Sequence, residues 1–186
     1  MKKDVTHTII MGSVITTSVV ILAFVIALII RYMKASKPTE ETLRRFADMS
    51  IPRGYRNNNP LNIRISRDNW LGKVSPNTDG TFEQFSDIIY GYRAAIKTLR
   101  SYYYTHGLRT IRQMVNRWAP LGDGNNNPTT YAANVAQRAG IAADQPIAFD
   151  EDTITKIVYG MAISECGTSQ YLKMDEIHAG WREAKI

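Results

Sequence analysis

The chain has 186 residues, 44% hydrophobic and 22% charged, with 23 Lys and Arg against 17 Asp and Glu for a formal charge of +6. That apolar share excludes a disordered chain, and the single cysteine excludes an intrachain disulfide framework and a cysteine-based zinc site. The charge is uneven: residues 1–37 hold five Lys and Arg against Asp4 alone, so most of the excess flanks the N-terminal segment and does not describe a nucleic-acid-binding face. Three scattered histidines (His7, His106, His178) build no metal centre, and neither a metal nor a cofactor is expected.

After a short tail of residues 1–8, Ile9 to Ile30 forms an uncharged run of 22 residues, long enough to cross a bilayer as a helix of roughly 30 Å. A signal peptide is the competing reading, but its apolar region is shorter, at ~7–15 residues, and ends in a small-residue cleavage site. Here Arg31, Tyr32, Met33 and Lys34 follow the run, so a single-pass anchor is expected. The flanking cations differ little between the two sides and slightly favour a cytoplasmic C-terminal domain. Residues 31–52 read as a linker with one short helix, opened by Thr39, Glu40 and Glu41 and closed by Ser50, Ile51 and Pro52.

Residues 53–186 form the globular part. The Asn-, Gly- and Asp-rich stretch 54–85 predicts short strands and turns, with a turn at Asn77 to Gly80. Helical spacing then takes over. A helix is predicted from about Ser86 to Tyr104, and a second is capped by Thr110 with Ile111, Met114, Val115 and Trp118 on one face. A Gly/Asn loop from Gly122 to Pro128 precedes a third helix, capped by Thr129 or Thr130 and ending at Gly140. A fourth is capped by Asp150 or Asp152 and closed by Gly167, and the last runs from about Met174 to Ala184. The fold class expected is α+β: a helical domain with a small β-rich insert.

One residue breaks its local pattern. Ile154, Ile157, Val158, Met161 and Ala162 make an apolar stripe, and Glu165 occupies the next position on it, in the last helical turn. Partial burial and the negative end of the helix dipole both disfavour an ionised carboxylate, which is how a glutamate becomes a general acid. A Glu reaching to solvent or pairing with an arginine is the plainer reading of the same position. The Asn-rich segment from Arg56 to Arg64 is the second unusual feature. Carboxamides stabilise tight turns, and they also suit sugar hydroxyls and N-acetyl groups, since each offers a donor and an acceptor. Asn57, Asn58, Asn59 and Asn62 are therefore candidate substrate-binding residues, with Trp70, Tyr131, Trp118 and Tyr102 to Tyr104 as apolar platforms.

A series of ordered motifs joins these features. Arg53-Gly54-Tyr55-Arg56-Asn57-Asn58-Asn59-Pro60-Leu61-Asn62-Ile63-Arg64 comes first, followed by Trp70-Leu71-Gly72, Phe82-Glu83-Gln84-Phe85 and Gly91-Tyr92-Arg93-Ala94. Thr110-Ile111, Arg117-Trp118-Ala119-Pro120, Asn127-Pro128-Thr129, Tyr131 and Glu165-Cys166-Gly167 complete it. Over residues 53–167 the chain resembles small phage virion and lysis proteins, some of them lysozyme-like, lytic transglycosylase-like enzymes that degrade peptidoglycan. Leu61 stands where that family commonly has Gly, and the N-terminal anchor is not a general feature of it.

The resemblance implies a lysozyme-like domain and a membrane-anchored glycosidase acting on peptidoglycan glycan strands, with Glu165 as general acid. Its partners would be the glycan, a lipid bilayer (virion membrane or host inner membrane, with the domain facing the periplasm) and capsid proteins. Hydrolysis needs a second carboxylate at roughly 5–5.5 Å (retaining) or 6.5–9.5 Å (inverting), for which Asp68, Asp79 and Glu83 are candidates. A lytic transglycosylase needs one carboxyl only. The alternative is a non-enzymatic structural membrane protein of a virion that binds peptidoglycan or a capsid neighbour. A Cys–His peptidase built on Cys166 with His106 or His178 is the third reading, disfavoured because a helix C-terminus does nothing for a thiolate.

Overall fold

The computed structural model describes residues 3–122 and 127–186, with side chains described from residue 18 onward; positions 123–126 of the Gly122–Pro128 loop lie outside the described residues. The chain divides into two units, Met1–Ala35 and Ser36–Ile186. The first carries helix α1, Lys3–Ala35. Its window Ser18–Ala35 has a mean hydropathy of 2.1, which makes it long and apolar enough to cross a membrane.

The second unit begins with α2 (Glu40–Ala47), where Thr39 accepts a hydrogen bond from the Thr42 amide and Glu40 and Glu41 meet the helix dipole. One turn of helix, α3 (Arg53–Arg56), follows. Then come α4 (Ile88–Tyr104), α5 (Ile111–Trp118), α6 (Pro128–Ala139), α7 (Glu151–Cys166) and α8 (Met174–Ala184). Thr110 and Gln113 form a reciprocal capping box on α5, and Asp150 caps α7. The cap of α6 is Asn127 rather than Thr129 or Thr130: its side chain accepts from the Thr130 amide and Pro128 takes the first helical position, where its missing N–H costs nothing.

Helix α4 packs on α8, α5 on α6, α6 on α7, and α7 on α8. The closest crossings use glycine. A Cβ at Gly180 would lie 2.6 Å from Tyr92 Cβ, and one at Gly160 would lie 3.1 Å from the Val135 carbonyl. The core between these helices includes Leu99, Met114, Val135, Ile154, Met161 and Ile177, all fully buried.

The expected lysozyme-like α+β fold with a small β-rich insert is corrected here. Among the described residues every regular element is a helix, and residues 57–87 contain no strand and no sheet, only isolated bridges at Arg64–Phe82 and Lys73–Phe85. Backbone pairs cross the loop at only a few places, such as Glu83 N–H to the Ile63 carbonyl and Val74 N–H to the Gln84 carbonyl, both at 2.8 Å, and side-chain amides add to them. Asn59 Nδ2 donates to the carbonyls of Ile63 and Glu83, both at 2.9 Å, and its Oδ1 accepts from the Ile63 amide at 2.9 Å. Asn58 Nδ2 donates to the Phe85 carbonyl at 2.9 Å. Asn57 donates to Asp79 Oδ2 at 2.7 Å and accepts from Gln84 Nε2 at 3.1 Å. The turn at Asn77 is real: its Oδ1 accepts from the amides of Asp79 and Gly80. Helix α4 holds the clamp from outside, since a Cβ at Gly91 would lie 2.0 Å from the Asn58 carbonyl oxygen.

Replacing Asn59 by Ala leaves two carbonyls and one amide of this loop without their partner. Each buried unpaired group costs about 1–3 kcal/mol. Denaturant unfolding of Asn59→Ala is expected to show a loss of roughly 3 kcal/mol or more.

Candidate functional site

Glu165 sits in the last turn of α7, one residue before the helix gives way to Gly167 in a left-handed cap (φ 71°). The buried stripe that precedes it is anchored in the core, so its side chain emerges at the edge of the packed helices, half buried. Two neighbours fix the carboxyl. The Tyr131 hydroxyl donates to Oε1 at 2.7 Å, and Asn62 Nδ2 donates to Oε2 at 3.1 Å. Tyr131 is placed by the close α6–α7 crossing: Val135 meets Gly160 and Tyr131 meets Glu165, in opposite order along the two helices, so they run antiparallel. Asn62 is placed by the Asn59 clamp, with its amide donating to the Asn59 carbonyl at 2.9 Å and its own backbone left-handed (φ 50°).

The carboxyl opens into a cleft of about 320 Å³. Its walls are Asn62, Ile63, Arg64 and Phe82 from the clamped loop, Thr98 and Tyr102 from α4, and Trp118 and Ala119 from the end of α5. Burial raises the carboxyl above the usual glutamate range, while the hydrogen bonds from Tyr131, Asn62 and Trp118 pull it down less strongly. The carboxyl therefore keeps its proton to a higher pH than an exposed glutamate does, at the edge of a cleft with aromatic walls.

The residues singled out in the sequence separate into two groups. Glu165, Asn62 and Tyr131 come together. Asn57, Asn58 and Asn59 are 1%, 2% and 0% exposed and spend their amides on the loop backbone and its side chains. Trp70 is half buried and is not among the cleft walls, whereas Trp118 and Tyr102 are. Phe82, Ile63 and Thr98 were not legible as cleft residues. The first two reach it through the loop pairing of Arg64 with Phe82, and Thr98 through its position one turn before Tyr102 on α4.

None of Asp68, Asp79 or Glu83 lines the cleft. Burial opposes charge on Asp79, yet hydrogen bonds from Arg53, Asn57 and the amides of Phe82 and Thr81 outweigh it and hold the carboxyl well below the usual range. Glu83 is fully buried and paired with Lys73 at 2.8 Å. Asp68 accepts from Ser66 Oγ on an exposed turn. Burial, followed by the charge of Glu165, pushes the Cys166 thiol up to about 12, and it donates to the Pro60 carbonyl at 3.3 Å. His106 lies against Arg117 and His178 against Glu151, so neither serves that thiol. Among the described residues no three His, Cys, Asp or Glu side chains converge to hold a metal.

The chain is 36% identical over 132 residues to Protein P5 of Pseudoalteromonas phage PM2, an overlap covering 69% of this chain and 79% of the phage protein. It belongs to the family of that phage protein. No protein-family model matches it.

The raised Glu165 carboxyl has a consequence for stability. A carboxyl lifted in the folded state contributes stability that is fully present below the unfolded value and is lost as pH rises through the folded value. Glu165→Gln removes that loss. Unfolding curves of the two proteins are expected to differ least in acid and to separate in favour of the variant as pH rises to neutral.

Proposed function

We propose that this chain is a virion-associated phage enzyme that degrades peptidoglycan, tethered by α1 to the virion membrane or the host inner membrane with its domain facing the periplasm, against the slight bias of the cations that flank α1. Glu165 is the general acid that protonates the glycosidic oxygen between two amino sugars. The observation that carries this reading is the environment of its carboxyl: proton-retaining, held by Tyr131 and Asn62, and open to a cleft with aromatic walls at Tyr102, Trp118 and Phe82. Membership of a phage protein family supports a role in the phage particle or in host lysis.

Within glycosidase chemistry the single-carboxylate route fits best. Among the described cleft residues Glu165 is the sole carboxylate, and the three candidate partners are engaged elsewhere. A hydrolase would need a second one across the scissile bond. In a lytic transglycosylase the sugar's own hydroxyl attacks its anomeric carbon as the leaving-group oxygen takes the proton from Glu165. The resulting carboxylate then accepts the proton of the attacking hydroxyl, and an anhydro sugar results. Asn62 and Tyr131 hold the carboxyl through both proton transfers, and Tyr102, Trp118 and Phe82 offer faces for sugar rings.

The test is clearing of a purified peptidoglycan suspension by the full chain, with mass spectrometry of the soluble products. The wild type is expected to clear it and leave anhydro ends, with activity falling as pH rises past the Glu165 titration. Glu165→Gln is expected to lose at least 100-fold, the scale of a general acid's contribution. A folded wild-type chain that leaves the suspension turbid contradicts the enzymatic reading and returns the non-enzymatic one, a virion membrane protein that binds peptidoglycan or a capsid neighbour.

A further inference from the structure

A second cavity shares no lining residue with the Glu165 cleft and abuts the asparagine clamp at Asn57 and Gln84. It has a volume of about 400 Å³ and is lined by Phe46 and Met49 from the α2 region, Arg53 and Arg56 from α3, and Thr78 and Asp79 from the loop. Its unusual member is Arg56. The residue is only 9% exposed, yet its guanidinium meets nothing better than the Met49 sulfur through Nη1.

A guanidinium is charged at every accessible pH, and removing one from water is costly unless an anion or strong acceptors replace the water. The nearby acids are taken. Asp79 is held by both Nε and Nη2 of Arg53, at 2.8 and 2.7 Å, and by Asn57. Asp48 is exposed and binds the amide and hydroxyl of Ser50; it feels the Arg56 charge but forms no ion pair with it. Gln84 Oε1 already accepts from the amide and hydroxyl of Thr78. Among the described residues no ion pair joins Arg56 to a carboxylate.

We propose that this cavity binds a phosphate-class oxyanion, with Arg56 as its principal ligand. The planar guanidinium fork suits two oxygens of such a group. Arg53, one helical turn earlier, lines the same cavity, but its Nε and Nη2 are held by Asp79, so Arg56 carries the contact to the anion. Met49 is 79% exposed, so its side chain can be displaced from the guanidinium without disturbing the core. The anion comes either from a lipid headgroup or from free phosphate, and the two sources share this chemistry. The site is independent of any glycosidase activity.

The experiment uses the full chain in an uncharged, phosphate-free detergent and follows thermal unfolding in sodium phosphate against sodium chloride at matched ionic strength. Saturating phosphate is expected to raise the wild-type Tm by roughly 2–4 °C. Met49→Glu supplies an internal carboxylate to Arg56 from an exposed position, and Arg56→Gln removes the charge; both are expected to lose that phosphate-specific increment. An increment equal in all three proteins reflects general salt stabilisation, and it overturns the proposal, as does no increment in the wild type. Repeating the measurement in phosphatidylglycerol nanodiscs separates the sources. An increment that persists there identifies free phosphate, and one that disappears identifies the lipid headgroup as the resident ligand.

Discussion

The architecture of this domain depends on three consecutive buried carboxamides. A loop of some thirty residues between α3 and α4 carries many backbone donors and acceptors and no sheet to pair them. Backbone pairs such as Glu83 N–H to the Ile63 carbonyl meet part of that demand, and Asn57, Asn58 and Asn59 add to them by gripping positions 63, 79, 83, 84 and 85 at once. The clamp can form only because Gly91 lets the Asn58 carbonyl approach α4 where a Cβ would collide. From this clamp hang Asn62, Ile63, Arg64 and Phe82, half of the cleft that faces Glu165.

The other half comes from helix packing. The core stripe of α7 carries Glu165 to the edge of the bundle, and the α6–α7 crossing at Gly160 delivers the Tyr131 hydroxyl to it. Two opposed effects then act on one carboxyl. Burial raises the cost of its charge, and three hydrogen-bond partners refund part of that cost. The balance leaves a group that retains its proton further toward neutral pH than an exposed glutamate does, held in a defined orientation. Asp79 shows the opposite balance in the same loop: it too is buried, but a guanidinium and two backbone amides keep it charged.

The helices were legible because their signals are local. Thr39, Thr110, Asp150, Gly140 and Gly167 each mark a terminus by short-range hydrogen bonding or backbone conformation. The position of Glu165 was legible for the same reason, since one helical stripe defines it. Residues 54–85 read as short strands and turns, yet the backbone pairs there stop at isolated bridges, because turn residues between apolar ones look alike whether or not the pairing extends into strands. The same ambiguity applies to the asparagines: a carboxamide suited to a sugar is equally suited to a carbonyl, and Asn57, Asn58 and Asn59 are buried with their amides on the loop. Only Asn62, held with φ at 50°, turns its amide to the carboxyl. The cleft walls at Phe82 and Thr98 depend on tertiary placement, which no local pattern carries.

The measurement that tests the central claim most directly is the titration of the Glu165 side-chain carboxyl by carbon-13 NMR in the full chain, repeated with Tyr131→Phe and Asn62→Ala. The account requires a midpoint above the usual glutamate range, moved higher still when either donor is removed, because both favour the charged form. A midpoint within or below the ordinary range, unmoved by the two substitutions, would mean a solvated carboxylate with no held proton, and the candidate site would lose its chemical basis.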